Sequence, residues 1–219
     1  MMGQYLDLLQ SLPRPKRDIA GRSAEKSKHV IEVARAYGQH YFDGHRKFGY
    51  GGYYYDGRWQ PVAHAIIDHY ELKPGSRVLD VGCAKGFLVA DLAMGGVDAH
   101  GLDISRYAIE HRHPWVGGRL RVGSADELPY KDKSFDLVLS INTFHNLPRD
   151  RIIIALREMA RVSRGSMFIQ VDSYRTEEQR ALFMDWVLTA EWHGYPSEWL
   201  ALFAEAGYVG DYAWTIVEG

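Results

Sequence analysis

Apolar positions change their period along this chain. Near the N-terminus Val30, Val33, Ala34 and Tyr37 recur at helical spacing, and Gly38 is placed to stop the helix they define. Residues 41–59, YFDGHRKFGYGGYYYDGRW, carry five glycines that break any regular element. A further helix starts at Pro61, with Val62, Ala65, Ile66 and His69 on one face. From Gly75 the pattern becomes short apolar runs alternating with amphipathic stretches. RVLDVG (77–82), DAHGLDI (98–104), LRVGSA (120–125), FDLVLSI (135–141) and SMFIQVDSY (166–174) read as strands. FLVADLAM follows the first as a helix, and SRYAIEHR follows the second with Ser105 as its cap. A helix from Asp150 turns Ile153, Leu156, Met159 and Ala160 to one side, and SEWLALFAEAG is the last helix. Strands joined to helices by such short links predict a parallel sheet with right-handed crossovers.

The fold class is therefore α/β, a doubly wound, mostly parallel sheet of six or seven strands with an N-terminal helical extension. After the last helix YVGDYAWTIVE leaves room for one long strand where a seven-stranded sheet needs two, so an abbreviated edge is expected. A length of 219 residues with 46% hydrophobic content suits a single α/β domain with a sizeable core. Its expected parts are an extension and lid (1–74), a central core (75–172) and a segment with the last helix and edge strand (173–219). The net charge of -2 gives no nucleic-acid footprint. The basic PRPKR stretch, Arg14 to Arg17, reads as a solvated linker. A lone cysteine, Cys83, excludes an intrachain disulfide and a cysteine-based zinc site. No signal peptide or membrane span is expected, and the chain reads as cytoplasmic. The histidines show no metal-ligand spacing, with His111 and His113 at a fraying helix end, so no metal is expected.

Candidate chemistry gathers at the strand ends. Asp80-Val-Gly82-Cys-Ala-Lys-Gly86 closes the first strand, where small residues let backbone N–H groups approach a ligand. The glycines at 82 and 86 are four apart, unlike the G-x-G-x-x-G of dinucleotide folds. A carboxylate at Asp80 would repel a pyrophosphate and attract an ammonium group. Asp103 ends the second strand about twenty residues on, the register in which an acid receives vicinal ribose hydroxyls. The plainer alternatives are a tight turn at 82–86 and a helix start at Asp103.

With SADELPY (124–130) and FDLVLSINTFHNL (135–147), these segments resemble class I, Rossmann-like S-adenosylmethionine-dependent methyltransferases over residues 75–172. The resemblance implies S-adenosylmethionine as cofactor and S-adenosylhomocysteine as its product. It implies that Gly82, Cys83, Ala84 and Gly86 line the methionine and ribose portions, and that Asp80 faces the amino group. Asp103 would bind the ribose diol, Ile104 would pack on adenine with Ala125 beneath the ring, and Asp126 would accept the adenine amino group. Asn142 would stand beside the methionine and the incoming substrate. Ala84 occupies a place where glycine is common, which is compatible with binding if its φ stays negative.

Methyl transfer to a heteroatom is an in-line displacement, so orientation and water exclusion are the main tasks. His145 is the candidate base, with a purely structural role as its alternative. Residues 41–59 are expected to form part of a lid, with Arg58 near the cofactor carboxylate and Tyr50, Tyr53 and Trp59 facing substrate. Trp186, Trp192, His193 and Tyr195 would complete the opposite wall, Trp192 as a substrate contact. Such walls suit an apolar or cationic small-molecule acceptor, with neither nucleic acid nor membrane as partner. A nicotinamide-dependent oxidoreductase, a non-catalytic cofactor-binding subunit and another group transferase are the competing readings.

Overall fold

The structure, a computed structural model, describes residues 3–13 and 16–218. Helices α1 (Ile19–Glu25), α2 (Lys28–Arg35), α3 (Gln39–Phe42) and α4 (Gln60–His69) precede the sheet. Then follow β1 (Arg77–Val81), α5 (Phe87–Met94), β2 (Asp98–Asp103), α6 (Arg106–Glu110), β3 (Leu120–Val122) and β4 (Phe135–Ile141). The chain continues through α7 (Arg149–Val162), β5 (Ser163–Ser173), α8 (Glu177–Trp186), α9 (Pro196–Ala206) and β6 (Asp211–Ile216).

The six strands are all parallel, in the order β3-β2-β1-β4-β5-β6. Alternation along the strands feeds two cores, one on each face. Leu79, Val81, Val138 and Ile169 point to α7 and α9, where they meet Ile152, Leu156, Met159, Trp199 and Phe203. Val78, Leu137, Leu139 and Phe168 point to α4 and α5, against Val62, Ile66, Leu88 and Leu92. On α7 the buried stripe is Ile152, Ile153, Ala155, Leu156, Met159 and Val162, while Ala160, expected on that side, is exposed. The expected abbreviation of the edge is present: β6 pairs directly with β5. Residues 4–6 then run alongside β6, with the Leu6 N–H donating to the Tyr212 carbonyl and the Tyr212 N–H to the Gln4 carbonyl.

Two local readings change. The second helix stops at Arg35, with Tyr37 at φ 47°, and Gly38 begins the following turn of helix instead of ending the first. Residues 41–59 hold the end of α3 and a 3-10 turn at Arg46–Phe48, so they are not wholly irregular. Of the basic stretch, Arg14 and Pro15 lie outside the described residues. Arg17 is not a solvated linker residue: it is half-buried, over the ring of Trp186.

Candidate active site

The strand order reverses between β1 and β4, and in such sheets ligands bind outside the carboxyl ends at that point. A cavity of about 260 Å³ opens there. Its floor is supplied by the loops after β1, β2, β3 and β4, and its roof by the chain before β1.

The floor depends on an unusually close approach. Gly82 has φ +88°, and a Cβ on it would lie 2.0 Å from Thr143 Oγ1, so only glycine lets the β1 and β4 loops meet. Gly86 caps α5 in the left-handed region, packed on Leu120 and Val116, and does not face the cavity. Ala84 departs from expectation. Its φ is +49°, not negative, a conformation that costs an L-residue about 1–2 kcal/mol. It is held there by Asp103, whose carboxylate accepts the Ala84 N–H at 2.7 Å and the Ser105 N–H at 2.8 Å. Burial raises the Asp103 pKa, opposed by those two N–H donors.

Asp80 is the anomalous group. Its carboxyl lines the cavity, is 5% exposed, and receives no hydrogen bond from any described residue. Burial, and then the charge of Asp103, pushes it up to about 8. An enclosed carboxyl without a protein donor is a place prepared for a positive group. Cys83, Ala84, Ile104, Ala125 and Asn142 share the same wall, so the cavity gathers most of the floor residues singled out from sequence.

Asp126 is not on that wall. It accepts from the Ser124 hydroxyl and pairs with Arg151, and its side chain is shut away from solvent. Burial would raise it, but hydrogen bonds from Arg151 and Ser124 hold it below the usual carboxylate range. Ser124 and Ala125 face the cavity in its stead.

The roof is aromatic. Tyr50, Tyr53 and Trp59, expected to face substrate, line the cavity, and Tyr37, Tyr41 and Phe42 join them. Ring centroids lie 4.5 Å apart for Tyr50 and Tyr53, 5.2 Å for Tyr41 and Tyr50, and 4.8 Å for Tyr53 stacked on Phe87. Arg58 is not among the lining residues: its guanidinium pairs with Asp56 on the surface. Lys85 does what no sequence signal announced. From the floor loop it crosses to Asp43, 2.8 and 2.6 Å from the two carboxylate oxygens, and donates to the Tyr53 carbonyl at 2.9 Å.

His145 and Trp192 are also displaced from the expected wall. The His145 Nδ1 accepts the Asp172 N–H at 3.1 Å, and its Nε2 lies 3.3 Å from the Asp172 carboxylate. With both ring nitrogens engaged and burial lowering its pKa, His145 is a neutral link between β5 and the loop after β4. Its carbonyl accepts the Trp192 N–H, and the Trp192 ring packs edge-on against Trp199, 4.4 Å away. None of Trp186, Trp192, His193 and Tyr195 lines the cavity.

Residues 79–169 match the family described as a methyltransferase domain. The fatty-acid O-methyltransferase of Mycolicibacterium smegmatis is 38% identical over 105 residues, 45% of this chain and 38% of that protein. The demethylmenaquinone methyltransferase of Beutenbergia cavernae is 33% identical over 115 residues, 51% of this chain and 46% of that protein. The chain thus matches less than half the length of either relative. Among solved structures, the YcgJ protein of Bacillus subtilis shares the fold, with a TM-score of 0.55 at 21% identity over 66% of each chain. Over residues 79–169 this chain thus matches a methyltransferase domain, on the Rossmann-like fold of class I S-adenosylmethionine-dependent methyltransferases. Among its described residues, no helix is long and apolar enough to cross a membrane.

Proposed function

We propose that the protein transfers the methyl group of S-adenosylmethionine to the nitrogen or oxygen of an apolar small molecule. The observation that carries this reading is Asp80, an enclosed carboxyl facing the cavity with no protein donor. It suits the cofactor's ammonium group, while the free lone pairs of Asp103 suit the ribose diol and Ile104 and Ala125 suit the adenine faces. When bound, the cofactor supplies an activated methyl on a sulfonium. The chain's residues orient that cation, exclude water and hold the acceptor in line. Because His145 is engaged with Asp172 and no histidine lines the cavity, the acceptor arrives with its lone pair free, as an unprotonated amine or an oxyanion.

The six aromatic rings of the roof favour an apolar acceptor. The names of the two relatives, which point to a fatty acid and to demethylmenaquinone, lean the same way. Calorimetry with S-adenosylmethionine and S-adenosylhomocysteine tests the cofactor, and transfer of labelled methyl to a panel of apolar acids, amines and phenols tests the reaction. Binding of NAD without binding of either sulfur compound overturns the reading.

A further inference from the structure

Three arginines converge on one tryptophan beyond the cavity roof. The guanidinium carbons of Arg17, Arg22 and Arg46 lie 5.3, 4.4 and 5.9 Å from the Trp186 ring centroid. One aromatic face compensates one cation; it does not offset the mutual repulsion of three. Among the described residues none of the three has a carboxylate at ion-pair distance. The acids that act on them from further away are Asp172 and Glu218 for Arg17, and Glu25 for Arg22. Asp172 is already turned to His145.

The donors are only partly used. Arg22 Nη2 donates to the carbonyls of Arg46 and Gly49, at 3.1 and 3.0 Å, and Arg46 Nη1 donates to that of Tyr50. Arg17 donates to nothing among the described residues, and its Nη1 is sealed from solvent without an acceptor. Burial, with the neighbouring charge of Arg46, lowers the pKa of both Arg17 and Arg22. The cluster also adjoins the cavity. Arg22 and Arg46 grip the backbone at Gly49 and Tyr50, and the Tyr50 ring lines the cavity.

We propose that Arg17, with Arg22 and Arg46, binds an oxyanion, either a carboxylate or a phosphate monoester, carried by the acceptor whose apolar part enters the aromatic cavity. This rests on the methyltransferase reading for the word acceptor, but the anion site itself does not. Bidentate recognition by guanidinium suits both anions, and a planar fork on an aromatic ring is already ordered for it.

The test titrates inorganic phosphate, hexanoate and, as the neutral control, hexanol into the protein saturated with S-adenosylhomocysteine. Saturable binding of phosphate or hexanoate is expected, and which of them binds identifies the anion. Arg17→Met keeps an apolar stem against Trp186 and should weaken that binding about tenfold or more, with S-adenosylhomocysteine affinity unchanged and the melting temperature of the ligand-free protein no lower. Arg17→Lys should restore part of it. If Arg17→Met fails to fold, Arg46→Met, at an exposed position, is read in its place. Absence of oxyanion binding in protein that holds S-adenosylhomocysteine, or equal binding by the variants, overturns the proposal. If S-adenosylhomocysteine does not bind but the Arg17-dependent oxyanion does, the methyltransferase reading falls and the anion site stands.

Discussion

Lys85 and Asp43 join the floor of the cavity to its roof, with the ammonium 2.6 Å from one carboxylate oxygen and 2.8 Å from the other. The Lys85 side chain is 10% exposed and that of Asp43 30%. Burial works to raise the Asp43 carboxyl, but hydrogen bonds from Lys85 and Tyr107 prevail and hold it below the usual range. The two partners are not equivalent. Without Lys85, Asp43 keeps the Tyr107 hydroxyl and the Tyr53 N–H. Without Asp43, Lys85 keeps only one carbonyl. Asp43→Ala is therefore expected to cost about 1–3 kcal/mol, below the range for a fully buried pair, and Lys85→Met about 1 kcal/mol or less. Denaturant unfolding of both variants measures the asymmetry, and equal losses would contradict it.

Asp80 sets a pH dependence with a definite sign. Its folded pKa, about 8, lies above the ordinary 3.8, so the folded chain binds the extra proton between those values. Its contribution to stability is full below about 3.8 and is lost as pH rises towards 8. Asp80→Asn should accordingly make the ligand-free protein more stable at pH 8, by at least about 1 kcal/mol. The same variant should weaken S-adenosylmethionine binding. In the wild type that binding should release protons at pH 7, which calorimetry in buffers of different ionisation enthalpy detects. No proton release would remove Asp80 from the ammonium site.

Ala84 carries strain that glycine would relieve. Replacing it removes about 1–2 kcal/mol of left-handed strain and adds about 0.5–1 kcal/mol of backbone entropy cost, so Ala84→Gly should stabilise by up to about 1.5 kcal/mol. Gly82→Ala should be far more damaging, because its Cβ meets Thr143. Thermal melts of the two variants are expected to move in opposite directions.

His145 should affect stability before chemistry. Its folded pKa is lowered, so its contribution is complete above about 6.5 and is lost as pH falls through that value towards the folded one. His145→Ala leaves the Asp172 N–H without its acceptor, a loss of about 1–3 kcal/mol. Rate–pH profiles of wild type and His145→Gln should have the same shape. A limb that vanishes in the variant would reinstate the imidazole as a base.

The sheet was legible because strand burial is written directly into runs such as RVLDVG and FDLVLSI, and the cap at Ser105 into its own side chain. Asp80 and Asp103 were legible because their positions are fixed by the ends of those strands. The misplaced residues share a different cause. Arg58, Asp126 and His145 are polar side chains whose direction depends on a partner distant in sequence or on a local alternative: Asp56, Arg151 and Asp172. No periodicity encodes that choice. The crossing of Lys85 to Asp43 belongs to the same class, since 42 positions separate them. Tyr41 and Phe42 lay inside the aromatic stretch read as a lid, and Tyr37 was absorbed into a helical face.

The roof has a consequence for engineering. Tyr37, Tyr41, Phe42, Tyr50, Tyr53 and Trp59 all come from one uninterrupted run, 37–59, whereas the floor is assembled from four separate loops of the sheet. Under the proposed function, the aromatic part of the acceptor site and the cofactor floor thus lie in different stretches of the chain. A cassette swapped in at 37–59, keeping Asp43 for Lys85 and the Tyr37 carbonyl for the Ser105 hydroxyl, would inherit an intact floor. Under the same proposal, libraries confined to that run should vary the apolar part of the acceptor while leaving Arg17, Arg22 and the floor unchanged.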